Sequence, residues 1–167
     1  FQATRGGGHG DYRVIVLAPA SVQEMYDLTI LAFDLADQYR NPVLILADAM
    51  LGMMMEPLEE WRPEKKDVGK ASWVLTGAKG RPRRKLKSLY LEDGELADHN
   101  WRLVEKYDEI RQKEPRVHVE IPSGCELVVV AFGSAARISK SAVDRANDEG
   151  MKVGLIRPIT VWPFPDE

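Results

Sequence analysis

The sequence predicts an α/β fold made of two parallel β-α-β units. Two regions, residues 13–48 and 126–160, each contain a short apolar segment, an amphipathic helical segment and a second apolar segment. The apolar segments are nearly continuous in Val, Ile and Leu, which is typical of parallel strands that are buried on both faces. A helix between two such strands is the connection that parallel pairing requires.

The first unit starts with the strand segment RVIVLAP and continues with a helix in SVQEMYDLTILAFDLADQY. Ser21 and Glu24 form an S-x-x-E capping box at the start of this helix. Asn41 and Pro42 end the helix, because proline pushes the preceding residue out of the α region, and NPVLILAD is the second predicted strand. Residues at helical spacing form a face that should pack against the sheet: Met25, Leu28, Thr29, Ala32, Leu35, Ala36 and Tyr39.

Residues 57–122 have a different character and predict a connector between two domains. Prolines and charged residues dominate segments such as EEWRPEKKD and KGRPRRKLKS, which favours an extended path over a surface. A charged helix is predicted near residues 93–114, and Trp61, Trp73 and Trp101 are predicted to anchor the connector on a domain or a partner. The predicted apolar side of this helix consists of Leu96, Trp101, Leu103, Val104, Tyr107 and Ile110.

The second unit repeats the design of the first with ELVVVAFG, SAARISKSAVDRANDEG and MKVGLIRPIT. Ser134 is predicted to cap its helix, and Gly150 is predicted to end it in the left-handed conformation. The predicted buried stripe of this helix consists of Ile138, Ala142, Val143 and Ala146.

The composition excludes several classes of protein. A net charge of −3 and a pI near 5.7 give no global attraction to nucleic acid or to an anionic membrane, so neither is an expected partner. Cys125 is the only cysteine, which excludes an internal disulfide and an iron–sulfur cluster ligated by this chain alone. The apolar runs are too short to span a bilayer, so a cytoplasmic location is expected. Because residue 1 is Phe1, the chain is expected to be a fragment.

Four glycines lie directly before the first predicted strand, in ATRGGGHGDYRVIVLAP. In phosphate-binding loops the glycines follow a strand and open a helix, so that helix N–H groups face the phosphate. Gly6, Gly7, Gly8 and Gly10 precede a strand instead. Their position therefore argues against a nucleotide-binding loop.

Other segments permit a functional and a structural interpretation. The basic stretch of residues 79–87 could hold the phosphates of a cofactor or an acidic partner, although a solvated loop is the stronger interpretation. Met50 and Met53 to Met55 favour core packing or a subunit interface over contact with substrate. Gly133 and Ser134 could bind an anion at a helix start, and a simple cap is favoured.

The histidines and the single thiol do not form a recognisable catalytic set. His9, His99 and His118 are scattered without metal-ligand spacing, and Cys125 lies in the turn-like segment PSGCE. We therefore assign no catalytic residue and no metal ligand to this chain. Any chemistry it takes part in is expected to belong to a cofactor and to other polypeptide segments.

Three colinear stretches that cover almost the whole chain resemble one enzyme family. They are the first 57 residues with HGDYR and LAPASVQEM, the connector segment LTGAKGRPRRKLKSLYL, and the last region with RPITVWPFP. These stretches are similar to the alpha subunit of 2-oxoacid:ferredoxin oxidoreductases, and within that family to the 2-oxoisovalerate (3-methyl-2-oxobutanoate) group.

The resemblance implies an enzyme that decarboxylates a 2-oxoacid with thiamine diphosphate, passes electrons through iron–sulfur clusters to ferredoxin, and transfers the acyl group to coenzyme A. It implies that the beta subunit holds the diphosphate and the magnesium ion, that other subunits, gamma and delta among them, carry the clusters, and that the catalytic glutamate precedes Phe1. Residues 1–56 would be the end of a pyrimidine-binding thiamine-fold domain. Residues 57–122 would be the connector, and residues 123–167 the start of a domain similar to the transketolase C-terminal domain.

The resemblance also implies a role for the segment before the first strand. Related enzymes place an arginine there against the substrate carboxylate, and Arg5 stands in a comparable position. A guanidinium can hold a carboxylate through two parallel hydrogen bonds, and glycines would let the backbone pass close to a cofactor or substrate. A flexible loop with a surface arginine is the alternative for this segment. A non-catalytic assembly or docking module that uses the methionines and tryptophans is the alternative for the whole chain.

Overall fold

A computed structural model describes residues 2–64, 73–75, 77–85 and 88–166. The first unit consists of β1 (Ile15–Leu17), α1 (Val22–Tyr39) and β2 (Val43–Ile45), followed by a short helix α2 (Ala49–Met53). Strands β1 and β2 pair in parallel, as predicted. Ser21 caps α1, since its side chain accepts a hydrogen bond from the Glu24 backbone N–H, which confirms that half of the predicted capping box.

The second unit consists of β4 (Leu127–Val130), α4 (Gly133–Asp148) and β5 (Val153–Pro158), and β4 pairs in parallel with β5. Before it come α3 (Glu95–Lys113), which confirms the predicted charged helix, and β3 (Val117–Glu120). Gly150 follows α4 with a φ of 91°, as predicted for the end of this helix. The α/β class and both β-α-β units are therefore confirmed.

Each sheet also gains an antiparallel strand that was not predicted. β6 (Thr160–Trp162) pairs with β1, so the first sheet has the order β2-β1-β6. β3 pairs with β5, so the second sheet has the order β3-β5-β4. Because only Ile159 separates β5 from β6, one extended segment contributes a strand to each of the two sheets. The two units are thereby joined through main-chain hydrogen bonds.

Two predictions about the helices are wrong. Ser134 does not cap α4, because the N-cap of the helix is Phe132, two residues before Ser134, and the Ser134 hydroxyl bonds to Asp48 instead. Ile138 and Ala142 do not belong to a buried stripe, since Ile138 is 62% exposed and α4 buries Ala136 and Val143. The predicted apolar side of α3 is buried only in its last turns, around Ile110; its other end exposes Leu96, Trp101 and Val104.

The main core lies between β1, α1 and the end of α3. Its members are Ile15, Leu17, Leu28, Leu35, Tyr39 and Ile110. A smaller core beneath α4 contains Val143, Val153 and Leu155. Trp162 of β6 packs edge-on against Tyr107 of α3, with 5.8 Å between the ring centroids. The last turns of α3 and strand β6 therefore both pack against the core of the first unit.

A buried hydrogen bond fastens α1 to the end of α3. The Tyr39 hydroxyl donates to Glu114 Oε1 at 2.6 Å, and both residues are less than a tenth exposed. Arg116 donates to the other carboxylate oxygen of Glu114 at 2.9 Å. Burial first, and then the hydrogen bond to Glu114, raises the pKa of Tyr39 to about 12 from its ordinary value of 10.0.

Tyr39→Phe is expected to lower the free energy of unfolding by about 1–2 kcal/mol at neutral pH, because the buried Glu114 carboxylate loses a donor. The unfolded tyrosine loses its proton near pH 10 and the folded one near pH 12, so this group's stabilisation is complete below pH 10 and is lost as the pH rises towards 12. Denaturant titrations of both proteins between about pH 8 and pH 12 check this. The control is Tyr107→Phe, and identical alkaline profiles for wild type and Tyr39→Phe would contradict the prediction.

Candidate functional site

The glycine-rich loop folds as a 3-10 turn, Ala3–Arg5, that is closed by two left-handed glycines. Gly6 has a φ of 57° and Gly7 a φ of 84°, values that side chains other than glycine rarely adopt. The backbone N–H of Val14 donates to the Thr4 carbonyl at 2.9 Å. This hydrogen bond holds the loop at the amino end of β1.

The remaining glycines of the loop make room for an aromatic ring. A Cβ atom added to Gly8 would lie 1.9 Å from the Tyr12 hydroxyl, and one added to Gly10 would lie 2.8 Å from the Tyr12 ring. Both distances are far below van der Waals contact, so neither position accepts a side chain while Tyr12 stays in place. In this structure, therefore, Gly8 and Gly10 let the backbone of the loop pass close to the Tyr12 side chain.

Arg5 lies in this loop with its guanidinium turned towards residues 10 and 11. It donates to the Gly10 carbonyl and to Asp11 Oδ1, the latter at 3.4 Å. The Arg5 side chain is only 14% exposed, whereas the Asp11 side chain is fully exposed. A fully exposed carboxylate at this distance contributes little to stability, so a second carboxylate can compete with it for the guanidinium.

A polar network that sequence analysis did not find lies at the other edge of the sheets, after the carboxyl ends of β1, β2 and β4. Asp48 caps α2 by accepting from the Leu51 N–H at 2.9 Å, and it also accepts from the Ser134 hydroxyl. Glu56 accepts from the Val22 N–H at 2.9 Å and from Arg137. In open α/β sheets this edge is where ligands most often bind.

The strongest contact of the network joins α1 to β5. The Glu24 carboxylate accepts two parallel hydrogen bonds from Arg157, at 2.7 and 2.9 Å, and a third from the Ala20 N–H at 2.8 Å. Arg157 is 13% exposed and Glu24 is 28% exposed at their side chains. The signal that could have identified the pair was Arg157 itself, because an arginine within an otherwise apolar strand needs a partner.

Two of the three carboxylates of the network, Asp48 and Glu56, are stabilised in their charged form. Hydrogen bonds from Ser134 and Leu51 lower the pKa of Asp48 below its ordinary value. Hydrogen bonds from Arg137 and Val22 lower the pKa of Glu56. All three carboxylates come from the first unit and the segment after it, while Ser134, Arg137 and Arg157 come from the second. The network therefore ties the two units together.

The described residues do not provide a site for a metal ion or for a cluster. Among them no three His, Cys, Asp or Glu side chains are grouped as metal ligands. Cys125 is a free thiol whose Sγ donates to the Leu127 carbonyl at 3.1 Å. Over the same residues no helix is both long and apolar enough to cross a membrane.

The outcome for the other predicted surfaces is mixed. Trp61 anchors the connector on α1 as predicted, since its indole N–H donates to Asp27 Oδ1 at 2.7 Å. Met53 and Met55 are 78% and 96% exposed, so these two side chains are not part of a core in this chain. In the basic stretch, residues 79–85 are described and lie in an irregular segment, while residues 86 and 87 lie outside the described part.

Curated proteins similar to this chain are subunits of oxidoreductases. The ketoisovalerate oxidoreductase subunit VorB of Methanothermobacter marburgensis is 49% identical, over 99% of this chain and 47% of its own length. The 2-oxoglutarate synthase subunit KorA of Methanocaldococcus jannaschii is 35% identical, over 98% of this chain and 50% of its own length. The chain thus spans about half the length of the curated relatives it matches.

A solved structure has the same fold. The 2-oxoglutarate:ferredoxin oxidoreductase from Magnetococcus marinus, with 2-oxoglutarate, coenzyme A and succinyl-CoA bound, superposes with a TM-score of 0.73 at 23% identity, covering 99% of this chain and 34% of that one. Residues 125–167 match the model of pyruvate:ferredoxin oxidoreductase core domain II. Residues 2–120 match the model of the pyruvate flavodoxin/ferredoxin oxidoreductase, thiamine diphosphate-binding domain. The chain therefore belongs to the pyruvate flavodoxin/ferredoxin oxidoreductase family.

Proposed function

We propose that the natural protein carrying this chain is the alpha subunit of a cytoplasmic 2-oxoacid:ferredoxin oxidoreductase. It would decarboxylate a branched-chain 2-oxoacid oxidatively to the acyl-CoA and reduce ferredoxin. The observation that carries this proposal is the 46–49% identity, along 99% of the chain, to two ketoisovalerate oxidoreductase subunits. Identity to the 2-oxoglutarate synthase subunits is lower, at 29–35%, which favours the branched-chain substrate.

The proposed cofactors are thiamine diphosphate with magnesium, held mostly by a beta subunit, and iron–sulfur clusters on gamma, delta or other subunits. Coenzyme A is the proposed co-substrate. The described residues do not fit the magnesium–diphosphate end of the cofactor or a cluster, since no group of metal ligands lies among them and Cys125 is a single thiol. We therefore assign no residue of this chain to these groups and derive no step through them.

The role proposed for this chain's own residues is to hold the carboxylate of the 2-oxoacid through Arg5. Two features support it. The guanidinium donates to the Gly10 carbonyl, and Asp11, a carboxylate that it also contacts, is fully exposed. A substrate carboxylate that replaces Asp11 would gain a bidentate, charge-assisted pair. Because the Gly10 carbonyl already orients the Arg5 side chain, substrate binding would lose less side-chain entropy.

The proposed domain organisation follows the same resemblance. Residues 1–56 belong to a pyrimidine-binding domain, 57–122 to the connector, and 123–167 to a transketolase C-terminal-like domain. The two family models support a boundary near residue 123, because one ends at residue 120 and the other begins at residue 125. The strand pairs β1–β6 and β3–β5 cross this boundary, so the two domains would act as one body.

Reconstitution of the natural protein with its candidate beta and iron–sulfur subunits tests the proposal. We expect CoA-dependent reduction of ferredoxin or a viologen dye that requires thiamine diphosphate, with kcat/KM for 2-oxoisovalerate at least about tenfold above that for 2-oxoglutarate or pyruvate. A tenfold preference for another 2-oxoacid would overturn the substrate assignment. Absence of turnover with all three, in an assembled and cofactor-loaded complex, would overturn the enzymatic function.

A docking module remains the second candidate because apolar side chains are exposed on this chain. Met53, Met55 and Trp101 are each more than two-thirds exposed, which is typical of a surface that another subunit covers. In the reconstitution, a chain that assembles with its partners while no 2-oxoacid is turned over would support this second function.

A further inference from the structure

The Tyr12 ring fills the inside of the glycine-rich loop. A Cβ atom added to Gly6 would lie 3.3 Å from Cε2 on one edge of the ring, and one added to Gly10 would lie 2.8 Å from Cδ1 and Cε1 on the other edge. A Cβ atom added to Gly8 would overlap the hydroxyl at the tip of the ring. Three of the four glycines therefore follow the outline of one aromatic side chain.

Two of these glycines also hold Arg5. The Gly8 backbone N–H donates to the Arg5 carbonyl at 3.0 Å, and the Arg5 guanidinium donates to the Gly10 carbonyl. One glycine thus fixes the backbone of Arg5, and the other fixes its side chain. Because the Tyr12 ring lies against both glycines, a displacement of the ring would disturb both attachments of the arginine.

The need for glycine at these two positions comes from Tyr12 and not from the backbone. Neither Gly8 nor Gly10 has a φ in the left-handed region, so the backbone alone would accept a side chain at both. Gly7 is the opposite case, since its φ is 84° and a Cβ atom there would meet nothing within 4 Å. The sequence of the loop is thus fitted to the Tyr12 ring.

We infer that Tyr12 is a positioning residue, which acts on the substrate through Arg5 by keeping the guanidinium in place. This role rests on the proposed function of Arg5 as the anchor of the substrate carboxylate. A guanidinium that is fixed before binding loses little freedom when the substrate arrives. Removing the ring should therefore weaken substrate binding and leave the chemical step unchanged.

Steady-state kinetics of the assembled complex test this role. Tyr12→Ala should raise KM for 2-oxoisovalerate about tenfold while kcat changes by less than about threefold, because the guanidinium is retained but no longer fixed. Tyr12→Phe should stay within about twofold of the wild type, since it keeps both edges of the ring. In the Arg5→Ala background Tyr12→Ala should raise KM no further, because no guanidinium is left to position. A further rise of about tenfold in that background would overturn the role.

The matched control is Phe33→Ala, because Phe33 is a 73% exposed ring on α1, outside the loop. Its KM and kcat should equal those of the wild type. An equal rise in KM in this control would show that the loss of any exposed ring affects the complex, and it would overturn the assignment to Tyr12.

Two glycine variants test the packing itself. Gly8→Ala should raise KM about tenfold, and adding Tyr12→Phe should return it to within about twofold of the wild type, because Cζ, the nearest ring atom left, lies 3.1 Å from the added Cβ. Gly10→Ala should raise KM about tenfold as well, but Tyr12→Phe should not rescue it, since the ring carbons that the added Cβ meets are kept. Rescue of both glycine variants, or of neither, would overturn the assigned packing.

Amide hydrogen exchange separates this inference from the proposed function. Tyr12→Ala should speed exchange of the Gly8 and Val14 N–H groups at least about tenfold in the complex, because both donate to carbonyls of the loop. Unchanged exchange would overturn the positioning role, whatever the kinetics. A raised KM in Arg5→Ala with a wild-type KM in Tyr12→Ala would overturn this inference alone. A wild-type KM in Arg5→Ala would overturn the anchor role of Arg5, and with it the effect of Tyr12 on the substrate.

Discussion

Arg157→Met should lower the free energy of unfolding by about 3 kcal/mol and the unfolding midpoint by about 6–12 °C. The substitution leaves the Glu24 carboxylate partly buried with only the Ala20 N–H to compensate it. Removing one partner of a fully buried ion pair costs about 3–5 kcal/mol, and we take the lower end because Glu24 is 28% exposed. Differential scanning calorimetry or denaturant titration gives the measurement.

A double-mutant cycle measures the interaction energy between Glu24 and Arg157 apart from their other contacts. Glu24→Gln should cost about 2 kcal/mol, and the double variant should cost clearly less than the sum of the two single changes, because each single change leaves a partner uncompensated. Arg145→Met is the control, since the Arg145–Glu149 pair is exposed on α4 and should contribute less than about 0.5 kcal/mol. Additive losses at positions 24 and 157 would show that the two side chains do not stabilise each other.

The β-α-β units could be predicted because their signals are local. The run of Val and Ile before Ser21, the apolar spacing through α1, and the glycine after α4 each depend on neighbouring residues only. The burial of β1 agrees with this apolar pattern, since Ile15, Val16 and Leu17 are all fully buried. Local patterns of this kind are sufficient where a strand is buried on both faces.

The antiparallel strands could not be predicted because their pairing is between distant residues. β3 and β6 are four and three residues long, and each becomes a strand only through a partner in a different part of the chain. The same holds for Ser134, whose hydroxyl bonds to Asp48, 86 residues away, and not to its own helix. A tertiary contact here outweighs the local preference of serine for a helix cap.

The candidate site was predicted only at the level of single residues. Arg5 and the role of Glu24 in a helix cap could be predicted from the sequence, but the pairing of Glu24 with Arg157 could not. Nor could it be predicted that Tyr12 occupies the space that Gly8 and Gly10 leave open. Both relations depend on how segments pack against each other, which spacing along the chain does not encode.

Arg5→Ala in the assembled complex should raise KM for the 2-oxoacid about 100-fold while kcat changes by less than about threefold. Two hydrogen bonds from a guanidinium to a carboxylate are together worth about 3 kcal/mol, and a contact made equally with substrate and transition state affects KM alone. Arg5→Lys keeps the charge without the paired geometry, so KM should rise only about tenfold. Steady-state kinetics with 2-oxoisovalerate in both variants give these values.

Arg62→Ala is the control for the loss of a positive charge, because Arg62 is an exposed connector residue outside the Arg5 loop. Its KM should match that of the wild type. A fall in kcat at constant KM in Arg5→Ala would place Arg5 in the chemical step or in assembly rather than in carboxylate binding. Wild-type kinetics in Arg5→Ala would mean that the guanidinium only braces its own loop through the Gly10 carbonyl. Because the two parameters move differently in each case, a single pair of kinetic constants distinguishes an anchor for the substrate from a structural arginine.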